Sequence, residues 1–243
     1  MPATPPRLTG ISSMATRALL AELADAYRTH AGTEVALISV GGVDAAKRVA
    51  AGERFDLVVL AADAIDRLVG AGSVRAGSRT DLADSGVAVA VRAGAQRPDI
   101  GTPAALRDAV LMARSVGYST GPSGVALIGL FERWGIAELL RGRLVQAPPG
   151  VPVGALVARG EVELGFQQLS ELMALDGIAV LGPLPDEIAV VTTFAAGVCT
   201  ASTQPEAARA LLDFLASPAT DAAKRRHGMT APARPPNDPA GAT

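Results

Sequence analysis

Four stretches of this chain, 8–20, 39–63, 117–135 and 156–170, pair a small-residue turn with an adjoining strand or helix. That alternation restricts the folds open to it. Strands that follow one another through helical crossovers run parallel, and their helices cover both faces of the sheet. The run Asp56-Leu57-Val58-Val59-Leu60-Ala61 is apolar without alternation after its aspartate, as expected of a strand buried on both faces. The chain therefore reads as α/β.

Hydrophobic periodicity places strands over 8–11, 34–40, 56–61, 85–91, 116–118, 143–147, 164–167 and 188–199. Helices are predicted over 13–29, 44–51, 63–71, 102–109, 125–134, 153–159, 205–216 and 218–228, with Thr102 as a cap ahead of Pro103. The chain changes lobe near 85–91 and returns near Val191-Thr192-Thr193. This gives one lobe of residues 1–87 and 193–230, a second of 88–192, and a Pro, Ala and Gly tail over 231–243.

The 243 residues are 49% hydrophobic and 19% charged with a net charge of −2, enough for one large core or two modest ones. So balanced a charge gives no field to attract nucleic acid or an anionic membrane, and an anion has to be recognised locally. No apolar run reaches the roughly 18–20 residues that span a bilayer. Residues 1–10 contain no apolar core of a secretory leader, so the expected location is the cytoplasm. The alternative is the periplasm, with an ABC permease as partner, if a leader has been removed. The single cysteine, Cys199, sits in an apolar run and reads as core. With two histidines and no Cys/His spacing of the zinc type, neither a metal nor a cofactor is expected.

The turns carry the chemistry. The first N–H groups of a helix lack intrahelical partners and the peptide dipoles add partial positive charge, so a hydroxyl or glycine there makes an anion seat. Ser12-Ser13, Gly41-Gly42 and Ser119-Thr120-Gly121-Pro122-Ser123-Gly124 each follow a strand and precede a helix. Turns outside the carboxyl ends of strands face one crevice. Gly121 and Gly124 are expected to supply a positive φ or to let a ligand approach the backbone. Gln167-Gln168 ends an otherwise apolar strand and offers amides to a carboxylate or hydroxyl.

Leu57-Val58-Val59-Leu60-Ala61-Ala62-Asp63, the Pro122-Ser123-Gly124 turn, Gly154-Ala155-Leu156-Val157-Ala158 and Leu164-Gly165-Phe166 together resemble the molybdate-binding periplasmic proteins, type II solute-binding proteins of ABC importers. The resemblance runs in order over residues 8–230. It implies two α/β lobes of mixed sheet flanked by helices, joined by two crossing hinge strands near 85–90 and 189–193, and an oxyanion held between them. By position it implies contacts at Ser12 or Ser13, at Gly41, Gly42 and Val43, at Ser123, at Val153 and at Gln168. Where those proteins have a Ser-rich second seat this chain has Gly41-Gly42-Val43-Asp44, and Gln168 replaces their tyrosine. Those departures favour an organic carboxylate over molybdate.

Aconitate isomerase is similar to the same family, so the scaffold also accommodates an isomerase of an unsaturated di- or tricarboxylate. Such a reaction moves a proton between carbons one and three of an allylic unit and needs a base near the carbon acid. Asp44 and Tyr118 are the candidates, with Ser119 as a relay. Arg17 is a candidate for a second carboxylate, and His227, at the end of the last helix, is not assigned to catalysis.

Overall fold

The computed structural model describes residues 7–233. In chain order these form β1 (Arg7–Ser13), a 3-10 turn (Met14–Thr16), α1 (Arg17–Ala31), β2 (Glu34–Val40), α2 (Gly42–Ala50), β3 (Leu57–Ala61), α3 (Ala62–Gly70) and β4 (Thr80–Arg92). There follow α4 (Pro103–Met112), β5 (Val116–Tyr118), α5 (Pro122–Arg133), β6 (Leu144–Gln146), α6 (Val153–Ala158), β7 (Leu164–Gln168), α7 (Leu169–Leu172) and β8 (Ile178–Pro183). The chain closes with β9 (Val191–Val198), α8 (Pro205–Ala216), α9 (Asp221–Arg226) and β10 (Met229–Thr230). Beyond residue 233, the expected tail lies outside the described residues.

The hydrogen-bonded strand order is β2-β1-β3-β9-β4-β7-β5-β6, with β8 and β10 also joined to β4. Two parallel blocks, β2-β1-β3 and β7-β5-β6, lie on either side of the antiparallel pair β9 and β4. Strand β4 belongs to both blocks. Residues 80–86 pair with β9, whereas 87–92 pair with β7 and β8. The result is a two-lobed mixed α/β molecule whose halves are linked through β4 and β9.

Each lobe is held by apolar faces packed on its sheet. In the first, Leu19, Leu20, Leu23 and Tyr27 recur at helical spacing along α1 and meet Leu8, Leu57, Val59, Leu211 and Leu215. On the opposite face α2 and α3 cover Ile11, Val58 and Leu60. All five residues of β3 are buried, and each large apolar side chain there contributes roughly 1.5–3 kcal/mol. In the second lobe Leu106, Leu127, Leu130 and Phe131 from α4 and α5 pack on Val116, Leu164 and Phe166. Helix α4 begins as expected, with Thr102 Oγ1 accepting the Ala105 N–H at 3.1 Å.

Several boundaries differ from the periodicity. The helix expected from residue 13 opens with the 3-10 turn, because Ser13 is extended at φ −70°, ψ 158°. The strand expected over 188–199 starts only at Val191, after a 3-10 turn at Asp186–Ile188. The helix expected over 218–228 is a 3-10 turn at Pro218–Thr220 followed by α9. Strand β8 was not anticipated. Its apolar stretch, Ile178-Ala179-Val180-Leu181, is only four residues long and runs into Gly182 at φ 138° and Pro183, beside a register shift at Val89/Ala90, so it shows no alternation and is interrupted early.

Candidate ligand-binding cleft

Strands β1 and β2 of the first lobe, and β5 and β7 of the second, end at the positions singled out above. In the first lobe Ser12 is fully buried at the end of β1, and its Oγ lies 2.8 Å from Ser39 Oγ, its register partner on β2. Ser13 follows, also buried, and its Oγ has no partner. A Cβ on Gly42 would lie 3.7 Å from Ser13 Cβ, so the first turn of α2 sits beside the end of β1. Ser12, Ser13, Gly41 and Gly42 thus share one rim, with Val43 exposed at its edge. Ser39 was overlooked in the sequence, two residues before Gly41. Its hydroxyl shows that the second turn is not devoid of the donor whose loss had favoured an organic ligand.

In the second lobe Ser119 and Ser123 hold each other across the first turn of α5, Oγ to Oγ at 3.0 Å, with Thr120 exposed outside them. Gly121 is the cap at φ −83°, and neither it nor Gly124 has a positive φ. Gly124 is required for another reason: a Cβ there would stand 1.9 Å from the Ser119 carbonyl oxygen. The close approach is between the loop and its own helix, not between a ligand and Gly124. Val153, at the start of α6, is fully buried. Beside it Gly154 N–H donates to Gln167 Oε1 at 3.1 Å, so that carboxamide oxygen caps α6.

Gln168 points the other way along β7. Its Nε2 donates to Thr192 Oγ1 at 2.8 Å, and Thr192 is the register partner of Ser85 on β4. Directly opposed residues of an antiparallel pair share a face. Ser85, Thr192 and Gln168 therefore form one polar group at the crossing strands. Ser85 Oγ, Gln168 Oε1 and the neighbouring Ser170 Oγ are buried without a partner, as is Ser13 Oγ. Each such atom costs about 1–3 kcal/mol unless something hydrogen-bonds to it. Either orientation of the Gln168 amide satisfies Thr192, so its free end presents an acceptor or two donors.

Helix α7 ties the halves together. It packs on β4 and β7 and also meets the Met14–Thr16 turn that follows Ser13 in the other lobe. Gly228, beyond α9, comes within contact distance of Leu169 and Met173 on the same segment. Burial raises the Glu171 carboxyl on α7 to about 7, a shift that the Gln167 side chain opposes. Sequence reading missed Glu171. In the sequence it stands three residues after Gln168, just past the end of the strand.

Other polar residues lie elsewhere. Asp44 is exposed in the first turn of α2, and Tyr118 is half-buried against the second core. Arg17 is exposed at the start of α1. His227 Nε2 is 2.8 Å from Glu22 Oε2 on α1, and Arg226 also binds that carboxylate. Those hydrogen bonds hold Glu22 below the usual carboxylate range, in a tie between α1 and α9. Asp56 is satisfied by the Thr9 N–H at 2.8 Å, Thr9 Oγ1 at 3.1 Å and Ser202 Oγ at 2.7 Å, which fastens β1 to the loop after β9. Among the described residues no group of three or more His, Cys, Asp or Glu is placed to hold a metal ion, and no helix is long and apolar enough to cross a membrane. One depression of about 600 Å³ lies beside Asp81, Pro218 and Asp221, and another of about 320 Å³ lies beside Gly52, Gly72 and Thr200. Neither touches the turns.

Two α/β lobes joined by a shared strand pair, with polar turns at the strand ends, define a solute-binding protein of the type II periplasmic class. The structure of the Azotobacter vinelandii periplasmic molybdate-binding protein superposes with a TM-score of 0.77 at 19% identity, covering 93% of this chain and 100% of that one. The sulfate-binding protein of Mycobacterium tuberculosis gives 0.74 at 17% identity, over 92% and 86% of the two chains. The chain belongs to the bacterial extracellular solute-binding protein family, whose profile matches residues 8–230. It is 42% identical over 225 residues to an aconitate isomerase from a Pseudomonas species, covering 89% of this chain and 84% of the relative.

Proposed function

We propose that this protein binds an unsaturated tricarboxylate between its lobes and isomerises it, with aconitate as substrate. The observation that carries this reading is the 42% identity to an aconitate isomerase, which extends over 89% of the chain. The site chemistry supports it. A tricarboxylate brings six oxygens, which in this reading would meet hydroxyls at Ser12, Ser13 and Ser123, main-chain N–H groups at Gly41, Gly42 and Val43 and at Ser119, Thr120 and Gly121, and the amide of Gln168. Val153 is fully buried at the start of α6 with Leu156, Val157 and Val162, and Gln167 fixes that helix. Donors clustered around a carboxylate also stabilise the charge that grows on it when a neighbouring C–H is ionised.

Isomerisation requires a proton to leave the methylene carbon and another to arrive at the former vinyl carbon. The bond change is internal, so no redox partner enters. Two lobes that both contact the anion favour the closed form through differential affinity, and residues 85–90 and 189–193 are the proposed hinge. The test is to incubate the protein with cis- or trans-aconitate in deuterated water and follow the vinyl and methylene signals by NMR. Interconversion with deuterium entering the carbon skeleton is expected; unchanged spectra at high protein concentration refute catalysis.

A receptor for an inorganic oxyanion is the competing reading, and the Ser12–Ser39 hydroxyl pair favours it. The catalytic reading goes with a cytoplasmic enzyme, the receptor reading with a periplasmic protein that docks on a permease. Thermal shift decides between the ligands, since a ligand of the native state raises its melting temperature by mass action. Stabilisation by molybdate and none by either aconitate would establish the receptor.

A further inference from the structure

We infer that Glu171 is the base that takes the proton from the substrate's methylene carbon and returns one to the carbon at the other end of the allylic unit. This assignment rests on the isomerase reading above.

Position is the first argument. Glu171 lies on α7, which starts directly at the carboxyl end of β7 and meets the turn after Ser13 in the opposite lobe. Its carboxyl is therefore carried by a segment that both lobes contact, next to Gln168 and Ser170, whose Oε1 and Oγ are buried and unpartnered. Orientation is the second. Gln167 Oε1 is occupied by the Gly154 N–H, which leaves the amide's NH2 group free to face a carboxylate, and its side chain favours the ionised form of Glu171. A neutral amide does this without neutralising the charge.

The third argument is the lack of a counter-ion. Buried carboxylates are ordinarily paired with Arg or Lys. Strands β7 and β8 and the Met14–Thr16 turn contain no ionisable side chain. On β4, Asp84 accepts from Thr193 Oγ1 at 2.7 Å, and Arg92 lies near Gly160 at the far end of α6. Near Gly228, Lys224 is bound to Asp221, and Arg226 and His227 to Glu22. None of these acts on Glu171, whose shift comes from burial against Gln167 alone. A structural ion pair does not explain this carboxyl. A group that ionises near neutrality both accepts and returns a proton readily. Asp44, by contrast, stands exposed in the first turn of α2.

The step balances. The C–H bond of the methylene breaks and an O–H bond forms on Glu171, while the electron pair spreads over the allylic carbons and their conjugated carboxylate. The new acid then protonates the former vinyl carbon. The double bond has moved by one position, and Glu171 is ionised again.

The experiment compares the full-length wild-type protein with Glu171→Gln and Glu171→Asp, following aconitate interconversion by NMR across pH 5.5–8.5 and aconitate binding by thermal shift. Wild-type kcat is expected to rise with pH through about 7. Glu171→Gln should lower kcat by about 100-fold or more and abolish that limb while leaving aconitate affinity within about 3-fold. Glu171→Asp, which keeps a carboxyl on a shorter arm, should retain more activity than Gln. A smaller loss of kcat, an intact pH limb in the Gln variant, or loss of aconitate binding in it overturns the assignment but leaves the isomerase reading standing. A wild-type protein that converts neither aconitate overturns both.

Discussion

The buried carboxyl of Glu171 makes the stability of the ligand-free protein depend on pH in a way that one substitution removes. Burial moves this group from 4.5 to about 7. Below pH 4.5 it is protonated in both folded and unfolded chains and imposes no penalty. Above about 7 it is ionised in both, and the folded state bears the whole cost of holding a charge away from water. At 1.36 kcal/mol per pKa unit, that cost is about 3 kcal/mol, developing as pH rises from 4.5 to 7. The side chain keeps a strip of exposed surface, so solvent relief makes this figure an upper value. Glu171→Gln has no charge to bury. Urea denaturation of both proteins from pH 4.5 to 8.5 should therefore show the variant gaining on the wild type by up to about 3 kcal/mol, or roughly 6–12 °C in melting temperature. Taking the difference between the two proteins cancels every other titration. A gap that stays constant with pH to within about 0.5 kcal/mol would mean that water reaches the carboxyl freely and the burial argument is wrong.

The remaining predictions probe the two rims and the core. Ser123→Ala removes one hydroxyl from the first turn of α5 and should weaken aconitate binding by about 1–3 kcal/mol in calorimetry; unchanged affinity would remove Ser123 from the site. Gly124→Ala places a methyl where the Ser119 carbonyl oxygen stands, a main-chain clash, so the Ser119–Ser123 loop must move. A loss of about 3 kcal/mol or more is expected in denaturation, and a wild-type unfolding curve would contradict the backbone path described. Burial, with a smaller effect of Asp56, pushes the Cys199 thiol up to about 12, which leaves almost no thiolate at pH 8. Iodoacetamide should leave the native thiol unmodified in mass spectra and label it fully in urea, whereas rapid labelling of the native protein would show that the loop after β9 opens.

Much of the fold was legible because parallel α/β architecture leaves a strong imprint. Strands β2 and β5 and helix α8 carry the expected bounds, since each is a run of one period closed by Gly, Pro or a polar cap. The turn after β1 was visible through Ser12-Ser13, but its 3-10 geometry depends on the extended backbone of Ser13 and not on residue type. Strand β4 was read as half its length because residues 80–84 alternate only weakly, and their pairing with β9 is decided by tertiary contacts. The candidate turns were legible where small and hydroxyl residues mark them locally, at Ser12, Gly41 and Ser119. Polar neighbours that come from register were hidden. Ser39 stands opposite Ser12, Ser85 stands opposite Thr192, and the strand order that makes them neighbours is not written in either local sequence. Glu171 was hidden for the same reason. In sequence it is one acid near the end of an apolar segment, and only the packing of α7 against both lobes takes its carboxyl out of water.

Placing a base on α7 also explains how a solute-binding scaffold can acquire catalysis with few changes. In a receptor, closure about crossing strands serves to retain a ligand, and the free energy of contacts from both lobes is spent on that closed state. Here the Met14–Thr16 turn and α7 already touch, so closure about a bound anion would keep that contact. The Glu171 carboxyl is thus held largely out of water before the substrate is gripped. Desolvation that is costly in the free protein becomes, with substrate bound, the means of raising the carboxyl's affinity for a carbon-bound proton. Binding and base strength are thereby set by one conformational coordinate. An open protein, with its lobes apart and Glu171 hydrated, would still bind through either rim, and its carboxyl would return toward ordinary acidity.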